Sequence, residues 1–353
     1  MQSSRAALRD SFGIATIVAH LLRLRQRRPI CDIEFMANAR GHRNLTWLGY
    51  GACALAGCLW GTGFYFGKLA LREMSVGHMV LYRFIFASLG MLPVLLAEWR
   101  RQSKAKWNWP EWRTLLIASA LGVPIQFLLQ FKGLSLTTVS HAALMVGTMP
   151  VLLALGATIF SGERLDVIGW LALAGSTVGT SLIVLGGHSA SVSGGSSSLA
   201  GDLLVVASLT LSLGWILLNK HLMEVHSPLA VTAYGILSGT AMLATWVIAV
   251  DGLPPVHRVT WTAWFALASS GILCTAATTL LWNWGIHHVP ASRAGVFLNI
   301  EPALGSWLGV QLLGDRLGPF AWVGGGLILA AAVTLTAKKH NPGPVTDPEV
   351  ILE

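Results

Sequence analysis

The sequence contains few charged residues for its length. Of its 353 residues, only 11% are Asp, Glu, Lys or Arg, whereas 54% are hydrophobic. Soluble chains carry roughly 25% charged residues, because a surface in contact with water needs them. The mean hydropathy of +0.62 and the 15 tryptophans agree with this, since tryptophan collects at membrane interfaces. The composition therefore argues against a soluble enzyme and predicts an integral membrane protein.

The sequence motifs of metal sites, disulfide frameworks and enzymes are also missing. The four cysteines form no CxxC pair and have no paired histidine spacing, so we predict neither a metal site nor a disulfide framework. The sequence has no HExxH, no GxSxG and no Asp-rich cluster, and so we predict no catalytic residue and no cofactor. The formal net charge is +8, but no basic face is interleaved with aromatic residues. A nucleic-acid partner is therefore not expected.

Ten apolar segments long enough to cross a bilayer follow one another along the chain. They cover residues 47–71, 76–98, 112–132, 137–160, 165–186, 199–223, 228–250, 261–286, 289–313 and 318–337. The connections are short, except for a Gly/Ser-rich linker that divides the segments five and five. The predicted organisation is a basic tail at 1–45, a five-helix unit at 46–186, the linker at 187–198, a second five-helix unit at 199–337 and a tail at 338–353.

The lysines and arginines predict the orientation of these segments, because positively charged loops tend to stay in the cytoplasm. Most of them fall on the side of the amino terminus, and the opposite side receives little beyond Arg72, Lys132, Arg258 and Arg316. We therefore predict that both termini are cytoplasmic and that the linker lies on the other side. The basic tail lacks the cleavage pattern of a signal peptide, and Met36 is a plausible alternative start.

An internal repeat relates the two halves at a constant offset of 152 residues without a gap. The matched pairs include Lys68 with Lys220, Ser75 with Ser227, Tyr82 with Tyr234, Gly133 with Gly285, Ser140 with Ser292, Pro150 with Pro302, Arg164 with Arg316 and Trp170 with Trp322. Because each half has an odd number of segments, the second half enters the membrane from the opposite side. The predicted fold is an all-α integral membrane protein of ten transmembrane helices built as two inverted five-helix repeats, an architecture typical of secondary transporters.

Several sequence motifs carry a family resemblance. They are WGTGFYFGKLAL at 60–71, YRF at 82–84, GERL at 162–165, GDLLVVAS at 201–208 and HVPASRAGVFLNIEP at 288–302. On these residues the chain resembles the EamA-type transporters of the drug/metabolite transporter superfamily over 47–337. The second half has GDRL at 314–317 where that family often has GERL. The resemblance implies a ten-helix carrier of the bacterial inner membrane, usually an exporter of amino acids or related metabolites. It also implies a central cavity lined largely by the third, fourth, eighth and ninth helices.

Glu301 is the clearest candidate for a transport role. Ionisable groups inside a membrane are costly, and those that occur are often functional. Glu301 lies in the ninth segment, directly before Pro302, and its repeat equivalent is the neutral Met149. Two functional interpretations, binding of a substrate ammonium group and exchange of a proton, stand beside a structural one, in which Glu301 only pairs with a neighbouring polar group.

The matched prolines Pro150 and Pro302 each remove a backbone hydrogen bond within a predicted span. A proline inside a helix kinks it and leaves a carbonyl without its usual partner. We interpret the pair as a hinge that shapes the cavity, with a static kink that aids packing as the alternative.

Two stripes of side chains at helical spacing complete the predicted site. Arg293, Phe297 and Glu301 share one face of the ninth segment, as residues i, i+4 and i+8. The corresponding face of the fourth segment carries His141, Met145 and Met149. Facing each other, as the resemblance implies, these stripes predict a cavity of aromatic and thioether side chains with one acid near its centre; ordinary helix packing is the alternative.

Arg83 lies inside the second segment, and Gly235 stands at the equivalent position of the second half. This cation could attract an anionic group of the substrate, pair with Glu301 in one state, or bond to helix carbonyls for structural reasons alone.

The predicted function is secondary transport by alternating access. The solutes are small amphipathic metabolites such as amino acids, transport is outward, and it is coupled to protons if Glu301 titrates. The alternative is a membrane-embedded enzyme or a lipid-moving protein of the same architecture. The expected partners are a small-molecule substrate, the lipid bilayer and protons. Glycines spaced by four residues, such as Gly175 and Gly179, allow close helix packing but leave a monomer and a homodimer both open.

Overall fold

The computed structural model describes residues 39–101, 107–149, 151–152, 155–156, 167–187, 198–255, 259–289 and 295–337. Within these ranges the chain contains helices and turns and no β-strand. The α-helices are α1 (Ala39–Ala70), α2 (Val76–Arg101), α3 (Trp109–Ala120), α4 (Gln126–Leu136), α5 (Val139–Val146), α6 (Val167–Gly187), α7 (Leu199–Leu222), α8 (Pro228–Asp251), α9 (Trp261–Gly271), α10 (Thr278–His288), α11 (Ile300–Leu313) and α12 (Pro319–Ala337). Most of the predicted basic tail, nearly all of the linker and the carboxyl-terminal tail lie outside the described residues.

Five helical segments are long and apolar enough to cross a membrane. They are Val76–Ala97, Trp109–Leu136, Leu199–Leu222, Pro228–Asp251 and Trp261–His288. The helices at Val167–Ile183 and Pro319–Ala331 are equally apolar in character but shorter. The described chain is therefore an all-helical bundle with several segments suited to a bilayer, as the composition predicts.

Polar side chains at the helix starts explain several boundaries. Ser198, Ser227 and Thr260 each precede a helix, and each side-chain oxygen accepts a hydrogen bond from the backbone N–H three residues further on. Such caps satisfy donors that have no partner inside the helix. Asn108 and Glu111 form a reciprocal capping box at the start of α3. These residue types, placed directly before apolar runs, are the reason that the predicted starts at 199, 228 and 261 match the structure.

Two predicted segments differ from the structure. Helix α1 begins at Ala39, inside the predicted tail, because helical hydrogen bonding continues beyond the apolar residues. The helix predicted over 289–313 is not α-helical throughout: Gly295–Asn299 form a 3-10 helix, and α11 begins at Ile300. Apolar periodicity does not separate these two helix types, because both suit an apolar run.

The third and the eighth predicted spans each contain a π-helical turn. Leu121–Ile125 separates α3 from α4, and Ile272–Ala277 separates α9 from α10. The two turns lie at equivalent places of the repeat, since residue 121 corresponds to residue 273. A π-helical turn widens the helix locally and is frequent at functional sites.

Contacts between the halves occur in reciprocal pairs. Gly133 of α4 and Gly201 of α7 approach so closely that a Cβ on Gly133 would lie 2.7 Å from the carbonyl oxygen of Gly201. Their repeat equivalents, Gly285 of α10 and Gly49 of α1, make the same approach, at 3.0 Å. Each half thus contacts the other through the same pair of positions. Two units related by a two-fold axis have contacts of this reciprocal kind.

Aromatic and hydroxyl contacts show the same reciprocity. The ring centroids of Tyr82 and Trp264 lie 4.9 Å apart, and those of the equivalent Tyr234 and Trp112 lie 5.7 Å apart. The hydroxyl groups of Ser88 and Thr240, which are themselves repeat equivalents, are 2.9 Å apart. Helices α2 and α8 therefore contact each other through a residue and its own repeat equivalent.

Helices α6 and α12 pack through glycines that a side chain would force apart. A Cβ on Gly179 would lie 2.6 Å from the carbonyl oxygen of Gly324, whereas a Cβ on Gly175 would meet only the Cβ of Ala331, at 4.0 Å. We expect Gly179→Ala to lower the stability of the protein by about 1–3 kcal/mol, the usual cost of overpacking. Gly175→Ala, one helical turn away, is the matched control and should be neutral or stabilising. Denaturant titration in detergent micelles measures both, and equal stabilities would contradict the close packing.

Candidate functional site

A cavity lies between the helices of the two halves. Its empty volume is about 920 Å³, including its mouth. Aromatic side chains form much of the wall, namely Trp60, Phe64, Phe84, Phe127, Phe131 and Trp215. The polar lining consists of Arg83, Gln126, Gln130, Ser212, Asn219, Thr232, Thr275, Thr279 and Glu301. The cavity is therefore a mainly apolar site with a small set of polar groups, which is the usual composition of a small-molecule site.

The two π-helical turns contribute directly to this cavity. Gly122 and Val123 of the first turn line it, as does Thr275 of the second. The indole of Trp215 packs against Gly122, at the place that a side chain on this residue would occupy. The turns thus bring the middle of the third and eighth predicted spans to one site.

Arg83 is held rigidly at the cavity wall. Its Nε donates to the hydroxyl of Thr275 at 2.7 Å, and its Nη2 donates to the carbonyl of Cys274 at 3.2 Å. The guanidinium carbon lies 4.9 Å and 5.0 Å from the ring centroids of Phe127 and Phe131, so cation–π attraction compensates part of the lost hydration. Of the interpretations left open for Arg83, bonding to a helix carbonyl is observed, and the side chain still lines the cavity.

Glu301 borders the same cavity with its side chain largely buried. It is 8% exposed and lies in the first turn of α11. Among the described residues, no hydrogen bond or salt bridge to its carboxylate is found, and Arg83 lines the same cavity. The structural interpretation requires a polar neighbour that fixes Glu301, and no such bonded neighbour is found among the described residues.

The position of Pro302 differs from the predicted mid-helix kink. It lies in the first turn of α11, directly after the 3-10 helix, where the missing N–H of proline is best tolerated. The irregular backbone at this point is the change from 3-10 to α-helix at Asn299. Pro150 and Arg293 lie outside the described residues, so their predicted roles stay predictions.

The two predicted stripes do not face the cavity as complete sets. Met149 lines it together with Glu301. Phe297 packs instead against Tyr50 of α1, with ring centroids 5.8 Å apart. Met145 is fully buried in the apolar core, and His141 belongs to a separate polar cluster. Helical spacing identifies residues that share a face but does not say which neighbouring helix that face meets.

The contribution of the helices to the cavity is also broader than the resemblance implies. The third, fourth, eighth and ninth spans do line it, but the first, second, sixth and seventh provide Trp60, Arg83, Asn219 and Thr232 respectively. All eight central segments thus surround one site.

Sequence reasoning missed a buried polar cluster around Asp202. This residue has no solvent exposure. Its Oδ1 accepts a hydrogen bond from the hydroxyl of Thr137 at 2.7 Å, and its Oδ2 lies 3.9 Å from Nδ1 of His141. Lys68 donates to the carbonyls of Leu134 and Thr137, at 2.8 Å and 2.7 Å. The rule that singled out Glu301, an acid within an apolar segment, applies equally to Asp202.

Asp315 makes a second connection at the same end of the bundle. Its Oδ2 accepts hydrogen bonds from the backbone N–H and the hydroxyl of Ser140, both at 2.9 Å. Ser140 lies in the first half and Asp315 in the second, as Thr137 and Asp202 do. We call these two connections the polar clasp; it joins the start of α5 to the start of α7 and the end of α11.

The internal symmetry fails at the cavity itself. Arg83 corresponds to Gly235, Glu301 to Met149 and Trp215 to Gly63, and all six line the cavity. The packing contacts between the halves are reciprocal. At the cavity, by contrast, only one residue of each repeat-equivalent pair has a charge or an indole. The site is accordingly suited to a molecule whose two ends differ chemically.

Comparisons with known proteins agree on one family. The model of the EamA-like transporter family matches residues 47–185 and again residues 199–337. An uncharacterized transporter of Archaeoglobus fulgidus is 26% identical over 82% of this chain and 97% of its own length. The uncharacterized transporter YyaM of Bacillus subtilis is 24% identical over 80% of this chain and 91% of its own. The two matched ranges coincide closely with the two predicted repeat units.

A solved crystal structure shares the fold. It superposes with a TM-score of 0.59 at 19% sequence identity, covering 83% of this chain and 98% of the other. At this identity the similarity concerns the fold alone.

Proposed function

Since this chain is a member of the EamA-like transporter family, we propose that it is a secondary transporter that exports amino acids or related small amphipathic metabolites by alternating access. The observation that carries the proposal is the cavity, in which the cation of Arg83 and the carboxyl group of Glu301 border one apolar space. A zwitterionic molecule with an apolar body complements such a site, because buried charges are tolerated when they find an opposite charge.

Proton coupling through Glu301 is part of the proposal. A carboxyl group that borders a cavity and has no bonded partner among the described residues can exchange a proton with that cavity. Protonation changes the charge that the substrate meets, and so it links proton binding to substrate binding.

The proposed architecture is ten membrane-crossing helices in two inverted repeats, in a bacterial inner membrane, with both termini in the cytoplasm. The reciprocal glycine and aromatic contacts support the two-fold relation of the halves. The two π-helical turns support it as well, since they lie at equivalent places. The distribution of lysine and arginine supports the orientation. Because one chain provides the whole cavity lining described here, we propose that a single chain is the transport unit.

Efflux from proteoliposomes tests this function. Vesicles loaded with the proteinogenic amino acids are diluted into buffer, and the solutes that leave are identified by mass spectrometry. We expect at least one zwitterionic solute to leave faster than from protein-free vesicles. The matched control is Gly235→Leu, a change at a cavity-lining residue whose Cβ would meet Ser119 and Leu115 at the ordinary contact distances of 3.8 Å and 3.9 Å.

The control variant separates transport from leakage. Gly235 lines the cavity, and we expect a leucine at this residue to reduce the free space there, so Gly235→Leu should lower efflux; size-exclusion chromatography in detergent checks that the variant is folded. If no solute leaves faster from wild-type vesicles than from Gly235→Leu vesicles, amino-acid export is wrong.

A further inference from the structure

The cavity contains three carboxamide side chains in addition to its charged groups. Gln126 and Gln130 lie one turn apart on α4, and Asn219 lies near the end of α7. Their exposed fractions are 7%, 7% and 5%, so all three are more than nine-tenths buried. Helices α4 and α7 are neighbours, as the contact of Gly133 with Gly201 shows.

None of the three carboxamides has a hydrogen-bond partner among the described residues. The Oε1 atom of Gln126 is buried and unpartnered, and no hydrogen bond to the side chain of Gln130 or Asn219 is found in the same ranges. Leaving a buried amide without a partner costs free energy, and buried polar groups are nearly always paired. The buried and unpartnered oxygen of Gln126, with two further carboxamides in the lining of the same cavity, indicates that a polar group of a ligand pairs with this part of the site.

The carboxamides lie beside the charged part of the site but form a separate surface. Phe127 and Phe131 make cation–π contacts with the guanidinium of Arg83. Each of them directly follows a glutamine on α4, Gln126 or Gln130. The amide face is therefore turned by about 100° from the phenylalanine face. Trp215 packs over Gly122, one turn before Gln126. The amide face is therefore bounded by an indole on one side and by the phenylalanine rings on the other.

The internal repeat does not reproduce this surface, because none of the three equivalent residues is a carboxamide. Gln126 corresponds to Thr278, Gln130 to Trp282 and Asn219 to Gly67. A carboxamide offers both a donor and an acceptor but no charge. A charged ligand group placed there would lose its hydration without gaining an opposite charge, whereas an uncharged group that donates and accepts would be satisfied.

We propose that Gln126, Gln130 and Asn219 form a selectivity subsite for an uncharged hydrogen-bonding group of the transported solute, such as a carboxamide or a hydroxyl group. The inference rests on the proposed function, because it assigns a second recognition surface to the same cavity. The solute then carries its charges toward Arg83 and Glu301 and its uncharged polar group toward α4 and α7.

The test compares pairs of solutes that have nearly the same shape. L-Glutamine and L-methionine form one pair, and L-threonine and L-valine form the other; in each pair only the first has a side chain that donates and accepts hydrogen bonds. Counterflow of each radiolabelled solute is measured in proteoliposomes of the wild type, Gln130→Met and Asn219→Leu. We expect the wild type to favour the polar member of at least one pair by about tenfold or more in kcat/KM, because unpaired site groups reject the apolar analogue.

The variants show whether the subsite causes that preference. Each should reduce the preference toward unity, because the polar solute is slowed more than the apolar one, and size-exclusion chromatography in detergent shows whether the variant is folded. A preference that both variants leave intact overturns the subsite and leaves the transporter proposal standing. Equal transport of both members of each pair by the wild type also overturns the subsite. If no solute of either pair moves in any protein, the subsite is overturned, and the proposed function fails as well when the efflux experiment finds no transported amino acid.

Discussion

Glu301→Gln is expected to abolish the response of solute flux to an imposed pH gradient. The carboxyl group borders the cavity and lacks a bonded partner among the described residues, so the amide replaces it in shape but cannot bind or release a proton. Gradient-driven accumulation in proteoliposomes should fall by about tenfold or more, the size of effect expected when a charged group that meets the substrate is lost. Exchange of the same solute at equal pH on both sides should persist at a reduced rate, because exchange needs no net movement of protons although the solute loses the carboxylate that it meets.

Two further variants make this result specific. Glu301→Asp keeps a titratable carboxyl group at the same place and should retain the pH response at a reduced rate. Glu111→Gln removes an acid that lies outside the cavity, where it contacts His226 at 2.9 Å, and should leave the pH response unchanged. Proton coupling through Glu301 is wrong if Glu301→Gln accumulates solute in a pH gradient as the wild type does.

Helix positions could be predicted from the sequence because the segments are bounded by capping residues. The start of α8 is one example: Ser227 caps the helix, and Pro228 suits its first turn. The segment from 289 to 313 shows the opposite case. Its apolar residues satisfy both a 3-10 helix and an α-helix, and the choice depends on how α11 packs against α1, which no local pattern contains.

The charged residues of the site could also be predicted from the sequence. Arg83 and Glu301 interrupt apolar segments and break the internal repeat, and the structure brings both to one cavity. The carboxamides Gln126 and Gln130 were missed, because an uncharged polar residue within a span gives a much weaker signal than a charge. The face on which they lie depends further on the π-helical turn just before Gln126, which rotates every later residue of the helix.

His141 illustrates why a helical stripe was insufficient. Its spacing to Met149 is two turns, and this placed it on the predicted cavity face. In the structure, α5 ends at Val146 and turns follow at 147 and 148, so the stripe is not continued in one regular helix. The imidazole instead approaches Asp202, an acid whose position relative to α5 is set by the packing of the two halves.

Asp202→Ala is expected to destabilise the protein by about 3 kcal/mol, the upper range for a buried hydrogen bond to a charged group. The substitution leaves the hydroxyl of Thr137 without its acceptor and removes the carboxylate near His141, while the interior position of residue 202 prevents water from replacing either contact. Since Lys68 also donates to the carbonyl of Thr137, loss of Asp202 loosens the polar clasp that joins the halves at this end. Denaturant titration in detergent micelles measures the change. Asp251→Ala is the matched control, because that acid is exposed and its side chain accepts a single 3.4 Å hydrogen bond among the described residues, from Ser75. Its effect should stay within about 0.5 kcal/mol. Equal losses for the two variants would show that the buried clasp contributes nothing beyond an ordinary surface contact.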